Sequence, residues 1–277
     1  YPNEEVIAPG TVVISAGANC NDITKVVEPV FKISGGDIYY INISKDDFKL
    51  GGSSFAQIIN KIGEESPSVS DAEYLKNAFN AVQELVNKEL IVAGHDVASG
   101  GLITTLLEMC FAEVSIAAEL DLTDLNEKDS IKLLFSENAG LVVQSANNEK
   151  MEALLSEANI DYCKIGKVTE GDVLSIINSN DVFTMSVSRL RDVWYKTSFL
   201  LDQKQTAGDL ATSRFNNYKN QPLKYKFPDH FTGQLPNLPE SNSRPKAAIL
   251  REKGSNSERE MANAMYLAGF DVKDVHM

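Results

Sequence analysis

Short apolar runs alternate with amphipathic stretches along the chain, and they predict alternating strands and helices. Thr11 to Ala16, rich in β-branched residues and preceded by Pro9-Gly10, predicts a strand, and Asp37 to Ile43 after Gly35-Gly36 predicts a second. Leu50-Gly51-Gly52-Ser53 leads into a short helix with Phe55, Ile58, Ile59 and Ile62 at helical spacing, ending at Gly63. Ser70-Asp71-Ala72-Glu73 reads as a capping box, opening a helix whose buried face is Leu75, Ala78, Phe79, Val82, Leu85 and Val86. A short apolar run, Leu90 to Ala93, precedes a predicted helix over 102–109. Leu133-Leu134-Phe135 and Gly140 to Gln144 read as strands, Glu149 to Ala158 as a helix, and Val173 to Ile177 with Val182 to Val187 as a hairpin. Together they predict an α+β fold (α/β layered), a mixed sheet covered by helices. No internal repeat is visible.

The pattern changes after Leu190. Asp192 to Leu201 extends a helix carrying Trp194, Tyr195, Phe199 and Leu200. From Gln203 to Arg244 the chain is polar and holds Pro222, Pro228, Pro236 and Pro239, which reads as a connector. Order resumes with a strand at Lys246 to Leu250, a helix over Glu258 to Ala268 stopped by Gly269, and a strand from Phe270 to Val275. Ser257 with Glu260 fits a capping box. The expected division is therefore 1–190, a lobe; 191–243, a helical and irregular connector; and 244–277, the beginning of an α/β domain.

Composition narrows the class. The 277 residues are 43% hydrophobic, enough for a core, and no apolar run is long enough to span a membrane. The net charge of −13 lacks the basic face that nucleic-acid binding requires. Cys20, Cys110 and Cys163 form no CxxC pair, which points to a reducing compartment and against a cysteine-built zinc site, with Cys110 a packing residue. The start, Tyr1-Pro2-Asn3-Glu4-Glu5, is polar, acidic and unlike a signal peptide, so a cytoplasmic setting is expected. Residue 1 is not Met, so a fragment or a processed product is expected. The acidic run Glu119 to Asp129 reads as a solvated loop.

Candidate chemistry centres on His95-Asp96-Val97-Ala98-Ser99-Gly100-Gly101. A strand delivering a carboxylate, a glycine turn and a helix start suit a phosphate or a phosphate-bound Mg²⁺; glycines that serve only the turn are the alternative. His95 reads more readily as structural than as catalytic. Ser53 either caps its helix or helps bind a phosphate there, and Glu137 either lines a cleft or caps locally.

Leu50-Gly51-Gly52-Ser53, His95-Asp96 before Gly100-Gly101-Leu102, and Leu134-Phe135-Ser136-Glu137 before Gly140 resemble the C-terminal lobe of the aminoimidazole-ribonucleotide synthetase superfamily. Leu190-Arg191-Asp192-Val193-Trp194 and the stretch Arg244 to Asn256 are further similar to the large, single-chain phosphoribosylformylglycinamidine synthases of purine biosynthesis, in which a connector leads into a class I glutaminase domain. The resemblance implies a ligase that uses ATP and glutamine to turn formylglycinamide ribonucleotide into the amidine, with glutaminase-derived ammonia attacking an ATP-activated amide. It places no catalytic residue in this chain: the glutaminase nucleophile lies beyond residue 277, and none of the three cysteines sits in its motif. It makes Asp96 a Mg²⁺ ligand in a second, structural ATP/ADP site. Ala98 stands at the nucleotide-contacting position where the family commonly has Ser, with Ser99 next. Its implied partners are the remaining lobes of one polypeptide and the substrates glutamine and formylglycinamide ribonucleotide, with neither nucleic acid nor membrane. The alternatives are another ATP-using member of the superfamily and a purely structural docking module.

Overall fold

Two compact units, Tyr1–Asn220 and Gln221–Met277, make up the computed structural model, which describes residues 13–18, 22–220, 228–230 and 244–277. The first unit holds β1 (Ile38–Asn42), α1 (Ser54–Ile58), α2 (Ala72–Asn87), β2 (Ile91–Asp96), α3 (Gly101–Phe111), β3 (Ile116–Asp121), α4 (Ser130–Phe135), β4 (Gly140–Ser145), α5 (Asn148–Glu157), β5 (Tyr162–Glu170), β6 (Val173–Asn178), β7 (Asp181–Ser186), α6 (Val187–Gln205) and α7 (Leu210–Asn217). The seven strands form one sheet in the order β2-β4-β1-β5-β3-β6-β7. Every neighbouring pair is antiparallel except β3 with β6. This is the expected mixed sheet covered by helices.

β1 is an interior strand, and its alternating side chains divide the core. Ile38 and Tyr40 join Leu102, Leu106, Met109, Leu133 and Leu134 on the face covered by α3 and α4. Tyr39 and Ile41 join Ala78, Leu85, Met151 and Leu155 on the face covered by α2 and α5. A strand buried on both faces reads as a continuous apolar run, as Ile38-Tyr39-Tyr40-Ile41 does.

Several expectations are corrected. Residues 13–16 of the predicted first strand form no strand, and Val13 and Ile14 are 84% and 86% exposed. β-propensity without a partner strand does not make a ladder; residues 11 and 12, and Cys20, lie outside the described residues. Leu133-Leu134-Phe135 is the end of α4, not a strand. Asp129 caps that helix by accepting from the amides of Ile131 and Lys132, and Leu133 and Leu134 are both buried. The acidic run is not all loop: Glu119 and Asp121 point out of β3 while Leu120, and Leu122 just beyond, are buried.

Two caps differ as well. Asp71, not Ser70, caps α2, and the Ser70 hydroxyl donates to the carbonyls of Ser44 and Lys45 instead. The buried stripe of α2 is accordingly Tyr74, Ala78, Ala81 and Leu85, and Phe79 is 61% exposed. In the second unit, β8 (Lys246–Arg251), α8 (Glu258–Leu267) and β9 (Asp271–His276) form a βαβ start with parallel strands, as expected. Ser257 has φ +68° and no side-chain cap bond, so the expected capping box is absent. Part of the expected connector is helical, since α6 runs to Gln205 and α7 follows.

β5 pairs with β3 in regular register but with β1 through a bulge at Gly166. The β1–β5 register shifts between Ile38 and Tyr39, opposite Gly166 and Lys164. Gly166 has φ +153°, and a Cβ there would lie 2.1 Å from the Glu119 carbonyl oxygen. Gly166→Ala is expected to cost about 3 kcal/mol, measured as a lower urea midpoint with unchanged m-value; wild-type stability in that variant would contradict this account of the bulge.

Candidate functional site

β2 is an edge strand, and its last residue, Asp96, ends where the chain turns over Val97-Ala98-Ser99 into α3. Gly100 and Gly101 make the turn with φ +92° and +75°, a region that glycine enters without steric cost. At Gly101 the reason is close approach as well: a Cβ would lie 2.7 Å from the Phe135 carbonyl carbon. The backbone of α3's first residue therefore packs against the end of α4, and the segment Ser136-Glu137-Asn138 is brought beside the turn.

Glu137 uses that proximity. One of its carboxylate oxygens accepts from the amide of Gly100 at 2.8 Å and from the amide of Ser54 at 2.8 Å, so one side chain ties the α3 turn to the start of α1. Burial raises the Glu137 carboxyl, but the Gly100 and Ser54 donors outweigh it and hold the group below its ordinary value. Beside it Ser136 donates to the Lys49 carbonyl at 2.8 Å, and Asn138 donates to the Asp47 carbonyl at 2.9 Å. Ser53 caps α1 by accepting from the Ala56 amide at 3.2 Å, the local reading of that serine. Glu137 also accepts from backbone amides, but those of Gly100 and Ser54 lie far from it in the sequence, so it is a long-range tie and not the local cap of the alternative reading.

The Asp96 side chain is 70% exposed, with its Oδ1 3.3 Å from His95 Nδ1. The His95 Nε2 faces Glu108 Oε2 at 3.2 Å, and the other Glu108 oxygen accepts from the Trp194 indole at 3.1 Å. His95 thus lies between Asp96 and Glu108 of α3. Glu108 and Trp194 were not legible as site residues, because only the fold brings α3 and α6 to β2. Ala98 is exposed beside Asp96 and closes the turn by accepting from the Gly101 amide at 3.0 Å. Cys110 is buried and its thiol is pushed up to about 12 by burial, as suits packing rather than chemistry.

Among the described residues no group of three or more His, Cys, Asp or Glu side chains could enclose a metal. A single exposed carboxylate does not make a self-sufficient metal site. It does suit Mg²⁺, which keeps several waters and is held by one or two carboxylates together with substrate phosphates. A separate open cleft of about 790 Å³ is lined by Gly51 and by Asp46, Asp47, Lys49, Glu64, Glu65 and Glu127 among others. Lys49 pairs with Asp46 there at 2.8 Å.

The chain belongs to the AIR synthase-related family: the model of that family's C-terminal domain matches residues 40–178, half of the chain. A model of the CobB/CobQ-like glutamine amidotransferase domain matches residues 244–277. A probable phosphoribosylformylglycinamidine synthase, chloroplastic/mitochondrial, of Arabidopsis thaliana is 37% identical over 98% of this chain and 20% of its own length. The phosphoribosylformylglycinamidine synthase of Homo sapiens is 36% identical over 99% of this chain and 21% of its own. The chain thus spans about a fifth of the length of the curated relatives it matches. The solved T. maritima PurL complexed with ATP has a TM-score of 0.47 at 15% identity, covering 61% of this chain and 28% of that one. No described helix is long and apolar enough to cross a membrane.

The lowered Glu137 carboxyl has a consequence for pH. A carboxyl depressed on folding stabilises above its unfolded value and loses that contribution as pH falls through the folded value. Glu137→Gln is expected to lose about 2 kcal/mol at neutral pH and to show a shallower fall in stability below about pH 4.3, the ordinary glutamate value. Urea unfolding at several pH values measures both; parallel pH curves for the two proteins would contradict the role given to this carboxylate.

Proposed function

We propose that this chain is a segment of an ATP- and glutamine-dependent ligase that converts formylglycinamide ribonucleotide to the amidine in purine biosynthesis. The observation that carries the reading is the succession in one chain of an AIR synthase-related domain and the opening of a glutamine amidotransferase domain. Near-complete alignment with phosphoribosylformylglycinamidine synthases supports it. Other ATP-using members of the superfamily are disfavoured by the 244–277 match, which a synthetase lobe alone does not explain. We divide the chain into a synthetase-like lobe at 1–190, a connector at 191–243 and the start of a glutaminase domain at 244–277.

Within that enzyme the lobe supplies a structural Mg-nucleotide half-site and a scaffold. Asp96 holds the cation, and the turn at Ala98 approaches the nucleotide. Mg²⁺, when bound, neutralises phosphate charge; the chain's own contribution is to fix the carboxylate at the strand end. Other lobes of the same polypeptide are the partners, and the exposed Ile58, Ile59 and Ile62 on and after α1 suit such a contact. Catalytic groups come from outside this chain, which alone is expected to form no amidine. The compartment is a reducing one, consistent with free Cys110 and Cys163, and we assign it as cytoplasmic.

Calorimetric titration of the chain with Mg-ADP tests the half-site. Saturable binding is expected, weakened at least tenfold, about 1.4 kcal/mol, in Asp96→Asn. Ala98→Ser is expected to tighten it by roughly threefold to tenfold, the worth of one net hydrogen bond. Absence of binding, or binding indifferent to Asp96, would leave the chain a docking scaffold only.

A further inference from the structure

Asp96 ends an edge strand with its carboxylate largely in solvent, where a lone aspartate samples several rotamers. The structure surrounds it with a chain of contacts that limits this freedom. Ala93 and Val97 lie in the core on the α3 side of the sheet, and His95 between them is turned toward α3. Its Nδ1 lies 2.8 Å from the Asp96 carbonyl oxygen and 3.3 Å from the Asp96 carboxylate, while its Nε2 meets Glu108 at 3.2 Å. Both ring nitrogens face oxygens, so turning the imidazole loses the Nδ1 bond to the Asp96 carbonyl and moves Nε2 away from Glu108.

Glu108 is itself fixed from the far side. Trp194 of α6 donates to its second oxygen at 3.1 Å, and the Trp194 ring lies against Phe111 with centroids 6.0 Å apart. Three residues N-terminal to Trp194 the neighbouring turn of α6 anchors α3 again: buried Arg191 donates to the carbonyls of Phe111 at 3.1 Å and Glu113 at 3.3 Å. The end of α3 therefore cannot shift on α6 without exposing a buried guanidinium. Glu108 sits less than one turn before that anchor, with a restrained backbone and both carboxylate oxygens occupied.

We propose that Glu108 is a positioning residue for the cation carried at Asp96, orienting the aspartate through His95 and held in place by Trp194; this rests on the Mg-nucleotide half-site proposed above. Glu108 does not touch the cation. It determines where the Asp96 carboxylate points before the cation arrives, so its removal weakens the metal-dependent part of nucleotide binding and leaves the rest.

The test is calorimetric titration of the full chain with ADP, in Mg²⁺ and in EDTA, for wild type, Asp96→Asn, Glu108→Ala, Glu108→Gln and Trp194→Phe. Glu108→Ala is expected to weaken binding in Mg²⁺ about tenfold and to leave binding in EDTA unchanged. Glu108→Gln, which keeps partners for both neighbours, is expected to recover most of the loss. Trp194→Phe, which frees one end of the relay, supplies the test should Glu108→Ala not fold, with an expected loss of roughly threefold in Mg²⁺ alone. If Asp96→Asn loses binding while Glu108→Ala and Trp194→Phe bind Mg-ADP as wild type does, the positioning role is overturned and the half-site stands. A loss that is equal in Mg²⁺ and in EDTA overturns it too, as a general structural effect. If wild type does not bind, or Asp96→Asn binds unchanged, the half-site fails and this role falls with it.

Discussion

The close approach of the Gly101 backbone to the end of α4 is the constraint on which the rest of the site depends. Only a residue without Cβ lets α3 begin against the Phe135 carbonyl, and only that contact puts Glu137 within reach of the Gly100 and Ser54 amides. One carboxylate then joins three segments that are distant in sequence: the turn after Leu50, the turn after Asp96, and the loop after α4. The charge sits where two backbone donors need an acceptor, so the arrangement satisfies buried polar groups and fixes the turn together. Asp96 inherits its location from this frame, at the open end of an edge strand.

Much of this was legible in the residues. Gly100-Gly101 signals a turn that ordinary side chains resist, and Ile38 to Ile41 signals a strand buried on both faces. The weaker points have physical causes. Residues 13–16 have strand composition, but a strand requires a neighbour, which composition does not reveal. Leu133-Leu134-Phe135 is too short for its periodicity to separate helix from strand, and the deciding feature is the Asp129 cap four residues before Leu133. β3 and β5 have weak local signals: Ile116-Ala117-Ala118 is short and weakly patterned, and Gly166 interrupts the β-propensity of Tyr162 to Glu170. Glu108 and Trp194 carry no local signature, because their relation to His95 arises only when α3 and α6 pack beside β2.

The same separation explains how a modest motif gains the setting that the proposed half-site needs. His95-Asp96 alone states little. Set at the end of an edge strand, beside a fixed glycine turn and backed by α3 and α6, it becomes an exposed carboxylate with His95 3.3 Å away. That is half of what a phosphate-borne Mg²⁺ requires; the phosphates supply the other half. The departure at Ala98 removes a hydroxyl without altering the turn, since the Ala98 carbonyl still closes it. In the enzyme proposed here the lobe is thus a fixed support that holds a nucleotide in place, while reacting groups come from elsewhere.

The most direct test locates the cation itself. Backbone amide NMR of the isotope-labelled chain in Mn²⁺ and ADP reports which residues lie near the paramagnetic ion. The account predicts distance-dependent broadening that begins at Asp96 and covers Val97 to Gly101. Broadening centred on Asp46, Glu64 and Glu65, with the Asp96 turn unaffected, would place the cation in the other cleft and contradict it.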